Sequence, residues 1–199
     1  MGQGERDALN RIADVLVAGT GLILASPFLG LAMLATKLEG GGPVLYRQTR
    51  VGMNGEDFQV LKLRSMVVGA ESRGAGFAVD EGDARITRVG RVLRRTSIDE
   101  LPQLWNVVRG DMSIIGPRPT LRYQVEQYDE HQRRRLDIRP GLTGWAQVHG
   151  RASLPWSERI ELDVWYVDHR SPRVDLEILL RTPLALFRGT YRGATGGWR

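Results

Sequence analysis

Thr96-Ser97-Ile98-Asp99-Glu100-Leu101-Pro102-Gln103 sets two adjacent carboxylates just after a segment in which Arg85, Arg88, Arg91, Arg94 and Arg95 fall within eleven positions. A pair of anions downstream of so electropositive a stretch is chemistry for handling phosphates. The same octet also reads as a helix start. Ser97 and Glu100 stand at capping-box spacing, with Asp99 in the first turn, where the macrodipole favours acids. Alternatively, Pro102 occupies the first helical position and leaves the acid pair in the turn before it. A helix N-terminus here would also offer backbone N–H groups to a phosphate. Gly110-Asp111-Met112-Ser113 and Gly116-Pro117-Arg118-Pro119 follow. The Pro-Arg-Pro segment can be neither helix nor central strand, so Arg118 sits on a stiff extended segment, well suited to clamp a phosphate bidentately.

The elements that must position these groups can be read around them. Residues 44–51 and 57–64 flank Asn54-Gly55 and predict a β-hairpin. On its second strand Lys62 and Arg64 share a face, as do Phe58 and Val60, giving a cationic edge to an apolar surface. Residues 69–84 mix glycine with acids without a period and predict a mobile loop of functional length. A short basic helix follows at 86–93, and another at 104–108 is stopped by Gly110. Leu121, Val125, Tyr128 and Leu136 mark one face of an amphipathic helix ending in Arg133-Arg134-Arg135, which reads as a solvated or lipid-facing end. Pro140-Gly141 is a turn, and 145–148 a short strand delivering Gly150-Arg151. From Trp156 to Phe187 apolar residues recur at helical spacing among aromatics and arginines, a pattern suited to a core or to a membrane interface.

Residues 15–36 form a run of 22 without a charge, long enough for a single spanning helix. Ser26-Pro27 lies in its middle, however, where proline removes a backbone hydrogen bond. Basic residues flank both ends, Arg6 and Arg11 before it and Lys37, Arg47 and Arg50 after it. The positive-inside rule then places both ends in the cytoplasm. The pattern therefore predicts a re-entrant helix-break-helix over 11–38, with Ser26 satisfying a carbonyl freed by the break. No small-x-small site follows that would mark a signal peptide.

The 199 residues predict one domain, with a cytoplasmic part over 39–199 and no internal repeat. The fold class is mixed α/β, predominantly helical, with a small β-hairpin and interfacial amphipathic helices. The absence of cysteine excludes disulfides, thiolate catalysis and cysteine-based zinc sites. His131, His149 and His169 lack metal-ligand spacing and read as surface or packing residues. The net charge of +5, with a pI near 10.1, implies an anionic partner. A membrane-tethered module binding nucleic acid or anionic lipid would share that charge. It gives no reason for an acid pair amid arginines, and no nucleic-acid motif is present.

Taken together, these stretches resemble the bacterial sugar transferase family, the monotopic phosphoglycosyl transferases. The likeness rests on Asn10-Arg11 and Asp14, Ser26-Pro27, Lys62-Leu63-Arg64-Ser65-Met66, Asp99-Glu100-Leu101-Pro102-Gln103-Leu104, Gly110-Asp111-Met112-Ser113, Gly116-Pro117-Arg118-Pro119 and Pro140-Gly141-Leu142-Thr143-Gly144-Trp145-Ala146-Gln147, in that order. The chain departs from the usual pattern at Asn10, Ala13 and His149. The resemblance implies an enzyme on the cytoplasmic face of the bacterial inner membrane. It would move a sugar 1-phosphate from a UDP-sugar to polyprenyl (undecaprenyl) phosphate, release UMP and supply downstream glycosyltransferases. It further implies Asp99 as covalent nucleophile and Glu100 as the Mg²⁺ ligand. Lys62, Arg94, Arg118, Arg151 and Asp163 become candidates for binding substrate or supporting the site.

Overall fold

A computed structural model describes residues 3–72, 82–150 and 154–187. Residues 73–81 of the expected loop, together with Arg151, lie outside these. The first element, α1 (Gln3–Gly40), is a single helix of 38 residues, about 57 Å at the usual rise. Where the sequence predicts helix, break, helix, the helix instead runs through Pro27. The local reason is Ser26, whose Oγ donates to the Ile23 carbonyl at 2.8 Å. That carbonyl is the one the missing Pro27 N–H would have taken.

Both ends of α1 are fastened to the rest of the molecule. Near the start, Arg11 donates to the carbonyls of Val107 and Val108, at 2.5 and 2.7 Å, and buried Asp14 accepts from the Ile114 N–H at 2.9 Å. Near the end, Glu39 accepts from the N–H groups of Arg88 and Val89, at 2.6 and 2.9 Å. Arg64 donates to the Gly41 carbonyl at 2.5 Å. Between these ends, Ala18 joins a core with Leu104, Val107 and Met112, while Leu29 and Ala32 join Leu63 and Leu93. The outer face carries Leu16, Ile23, Leu24, Phe28 and Leu31, each more than 60% exposed. Helical spacing thus divides α1 into a face on the protein and an unpartnered apolar face.

The hairpin forms as its Asn-Gly turn predicts: β1 (Leu45–Val51) pairs antiparallel with β2 (Asp57–Leu63), with Asn54 and Gly55 at φ 58° and 79°. Next, α2 (Arg88–Thr96) begins at Thr87, whose side chain accepts from the Gly90 N–H. Gly90 has to be glycine, because a Cβ there would lie 1.9 Å from the Ser65 carbonyl oxygen; α2 rests directly on the chain leaving β2. α3 (Gln103–Arg109) starts after Pro102 and stops at Gly110, φ 100°. It is docked on β2 by fully buried Asn106, which accepts from the Leu61 N–H and donates to the Gln59 carbonyl and to Asp111.

A second, parallel pair, β3 (Ser113–Ile115) with β4 (Gly141–Thr143), is absent from the sequence reading. It interlocks the two glycine-rich motifs. A Cβ on Gly116, Gly141 or Gly144 would meet backbone atoms of the other motif at 2.4, 2.0 and 2.1 Å. The single helix expected over 121–136 is instead α4 (Arg122–Val125) and α5 (Glu130–Arg133), followed by a 3₁₀ turn at Arg134–Leu136. Asp129 restarts the helix by accepting from the Gln132 N–H. Its apolar residues still meet, Val125 and Tyr128 packing with Val51, Ile160 and Val164.

The expected strand at 145–148 is a helix, α6 (Trp145–Val148). Helical spacing brings Trp145 and His149 onto one face, and Trp145 stacks on Trp165 with centroids 4.6 Å apart. The tail forms α7 (Trp156–His169) and α8 (Pro172–Phe187). Ile178 anchors α8 inside, while Leu176, Leu179, Leu180 and Leu184 remain exposed.

Candidate active site

Ser97 ends α2 in the left-handed region at φ 57°, and a 3₁₀ turn over Ile98–Glu100 leads to Pro102 and α3. The acid pair therefore sits in the turn before the helix. Ser97 makes no side-chain cap, so the capping-box alternative does not hold. The sharp turn presents Asp99 and Glu100 to a cavity of about 480 Å³, whose walls also carry Lys62, Arg94 and Arg118.

The two carboxylates live in different surroundings. Glu100 Oε1 accepts from Lys62 Nζ at 2.8 Å and from Arg118 Nη2 at 2.6 Å. Burial alone would raise the Glu100 carboxyl, but the charges and hydrogen bonds of Arg118 and Lys62 hold it well below the usual carboxylate range. Asp99 is 8% exposed and accepts no hydrogen bond among the described residues. Burial, then the Glu100 charge, pushes its carboxyl up, against the pull of Lys62, Arg94 and Arg118. Lys62 is pushed down by burial against the attraction of Glu100. Two neighbouring acids driven apart in this way can take different chemical roles.

Asp163 does not line this cavity. It forms a buried ion pair with Arg135, and Arg135 also bonds the Tyr128 hydroxyl and the Arg118 carbonyl, the last at 3.0 Å. Arg135 is thus an internal strut at 3% exposure, not the solvated or lipid-facing end its sequence neighbours suggest. Burial pushes the Asp163 carboxyl up to about 6 against the Arg135 charge. Through Arg135 it is linked to the backbone that carries Arg118. Arg64, expected to join the cationic edge, lines the cavity but turns a guanidinium nitrogen toward the end of α1. Ser26 and Pro27 are not among the residues lining the cavity.

Tyr46, Gln48 and Arg50 were not foreseen as part of this wall. They alternate along β1, and Tyr46 pairs directly with Lys62, so strand periodicity could have placed them beside it. The three histidines, distant in sequence, line a second, open cavity of about 670 Å³ on the face of α7 opposite Asp163. There His149 and His169 bond the carbonyls of Trp145 and Trp165, and His131 pairs with Glu161 at 3.0 Å. The described residues hold no group of three or more His, Cys, Asp or Glu that could hold a metal ion.

An acid pair beside lysine and arginine on a β-hairpin, joined to a long apolar helix, defines a transferase of the bacterial sugar transferase family. The family model matches residues 5–189, and the chain belongs to that family. A UDP-glucose:undecaprenyl-phosphate glucose-1-phosphate transferase of Caulobacter vibrioides is 47% identical over 88% of this chain and 68% of its own length. A UDP-N-acetylgalactosamine-undecaprenyl-phosphate N-acetylgalactosaminephosphotransferase of Aeromonas hydrophila is 43% identical over 91% of this chain, which spans only 44% of that protein. The uncharacterized sugar transferase EpsL of Bacillus subtilis is 42% identical over 87% of this chain and 85% of its own length.

Proposed function

We propose that this chain transfers a sugar 1-phosphate from a UDP-sugar to polyprenyl phosphate, undecaprenyl phosphate in bacteria, giving UMP and a polyprenyl diphosphate sugar. The observation that carries this reading is the division between Glu100, locked by Lys62 and Arg118, and Asp99, buried beside it with its oxygens accepting no hydrogen bond among the described residues. Asp99 attacks the sugar-bearing phosphorus, the bond from that phosphorus to the bridging oxygen breaks, and UMP leaves with the electron pair. An oxygen of polyprenyl phosphate then attacks the same phosphorus, and Asp99 departs as a carboxylate. One site thus serves two substrates in turn. Lys62 and Arg118 keep Glu100 ionised, and Arg94 and Arg118 supply positive charge to the phosphate oxygens.

The donor set fits Mg²⁺ held mainly by its substrate: Glu100 Oε2 and the Asp99 oxygens accept no hydrogen bond among the described residues. Glu100 would hold the ion, which when bound neutralises charge on the diphosphate.

The same reading seats α1 on the cytoplasmic leaflet of the inner membrane, with both of its ends on the cytoplasmic side. Its support is that both ends of α1 are fastened to one folded body while the outer face is apolar. A spanning helix would separate those ends by the bilayer. The exposed leucines of α8 suit the same interface.

The substrate is put at the level of a UDP-sugar because relatives of similar identity are named for glucose and for N-acetylgalactosamine. The test is a panel of UDP-sugars incubated with enzyme, Mg²⁺ and polyprenyl phosphate, with UMP measured. One or a few sugars should release UMP and yield the lipid-linked product. Release of UMP from none of them would overturn the reading.

A further inference from the structure

Arg50 lies on the cavity wall beside Arg118 but spends its guanidinium differently. Lys62 and Arg118 both bond a carboxylate, Glu100. Among the described residues Arg50 bonds only neutral oxygens: Nε and Nη2 donate to Gln48 Oε1 at 2.9 and 2.6 Å, and Nη1 donates to the Pro119 carbonyl at 3.2 Å. One N–H on each terminal nitrogen is left over. Burial, then the Arg118 charge, pushes the group down to about 10, against the weaker attraction of Tyr46, Tyr123 and Glu100. Its direction is nevertheless set, by Gln48 on the same strand face and by Pro119 of the stiff segment that carries Arg118. A half-buried guanidinium, oriented and bonded to no acid among the described residues, is a site prepared for an anion.

We propose that Arg50 binds a phosphate of the substrate, taking oxygens of the group that Asp99 does not attack, with Gln48 and the Pro119 carbonyl as its positioning partners. The proposal rests on the phosphoglycosyl transferase reading. It names one chemistry with two sources, the nucleotide phosphate that leaves as UMP and the head group of the polyprenyl acceptor.

The test is equilibrium binding of UMP, and separately of farnesyl phosphate as a short polyprenyl phosphate, to the full chain in detergent. Wild type is compared with Arg50→Gln, Arg50→Lys and Gln48→Leu, and thermal midpoints are recorded for each. Arg50→Gln should weaken one or both ligands by about 10- to 100-fold, the scale of a hydrogen bond to a charged group. Arg50→Lys should recover only part of the loss, because the planar fork is gone. Gln48→Leu, which keeps the charge but frees its direction, should weaken binding less than Arg50→Gln does. Loss confined to UMP assigns the nucleotide phosphate, loss confined to farnesyl phosphate assigns the acceptor, and loss of both assigns a position used in each half-reaction. Unchanged affinities in Arg50→Gln, with or without a lower thermal midpoint, would overturn the proposal and leave Arg50 as a tie between β1 and the Pro-Arg-Pro segment. If wild type binds neither ligand, the phosphoglycosyl transferase reading fails, and this proposal fails with it.

Discussion

At the residue scale, Asp99 must be a carboxylate to attack, yet burial and Glu100 both favour its protonated form. Lys62 opposes them, so removing its charge should raise the Asp99 carboxyl further. Lys62→Met should therefore move the acid limb of the kcat/KM profile to higher pH, measured as UMP release across pH 5 to 8. A limb that stays in place would remove Asp99 from the titration that controls turnover. Arg118→Lys keeps the charge but loses the fork, so turnover should fall while stability changes by about 1 kcal/mol or less. A large stability loss with full activity per folded molecule would make Arg118 structural.

Asp163 makes a stability prediction with a definite sign. Its folded carboxyl, at about 6, lies above the ordinary value of 3.8, so the folded protein binds the extra proton between them. This contribution is fully present below about pH 4, falls as pH rises toward 6, and amounts to a few kcal/mol, on the order of 1.4 per pH unit. Asp163→Asn lacks the titration. The stability advantage of wild type over the variant should therefore shrink from pH 4 to pH 7, and an advantage that grows over that range would contradict the assignment.

These residues differ in how much the sequence discloses. Asp99, Glu100, Lys62, Arg94 and Arg118 stand in compact motifs and meet at one cavity. Arg50 lies in a strand whose alternation is visible, but that strand face becomes a cavity wall only once the turn carrying Asp99 and Glu100 and the Pro-Arg-Pro segment stand against it. Arg135 is not legible as a buried strut in the sequence, because it stands in a run with the exposed Arg133 and Arg134 and its partner Asp163 lies 28 residues away.

At the element scale, local signals worked where local chemistry decides. Asn54-Gly55 turned the hairpin, Gly110 stopped α3, and Pro102 set the acid pair in the preceding turn. They failed where tertiary contacts outweigh pattern. Gly141–Thr143 pairs with a strand about 28 residues upstream, leaving Trp145 to begin a helix and stack on Trp165. The proline in α1 is accommodated by Ser26, so the apolar run remains one helix.

The topology of α1 is testable because the chain has no cysteine. Single cysteines at Asn10 and Gly40 should both be shielded from an impermeant thiol reagent applied to intact cells, and both should label after lysis. Labelling of one end alone in intact cells would show a helix that crosses the bilayer. Ser26→Ala should cost about 1 kcal/mol of stability by leaving the Ile23 carbonyl without its donor, read from the thermal midpoint in detergent. An unchanged midpoint would mean that carbonyl is satisfied some other way.

At the scale of the whole molecule, the basic charge, the apolar outer face of α1 and the exposed leucines of α8 together suit a protein working where a charged soluble substrate meets a lipid one. Charge and hydropathy are written in the sequence. The interlocking of the two glycine-rich motifs depends on backbone approaches that no side-chain pattern records.

The central claim is that Asp99 carries the sugar phosphate between the two substrates, and single-turnover UMP release tests it most directly. Enzyme, Mg²⁺ and the active UDP-sugar, with no polyprenyl phosphate present, should release a burst of UMP approaching one per active site. Mass spectrometry should find the sugar phosphate on Asp99, and Asp99→Asn should abolish both burst and adduct. UMP appearing only when acceptor is added, with no adduct on Asp99, would contradict the two-step account and favour direct displacement.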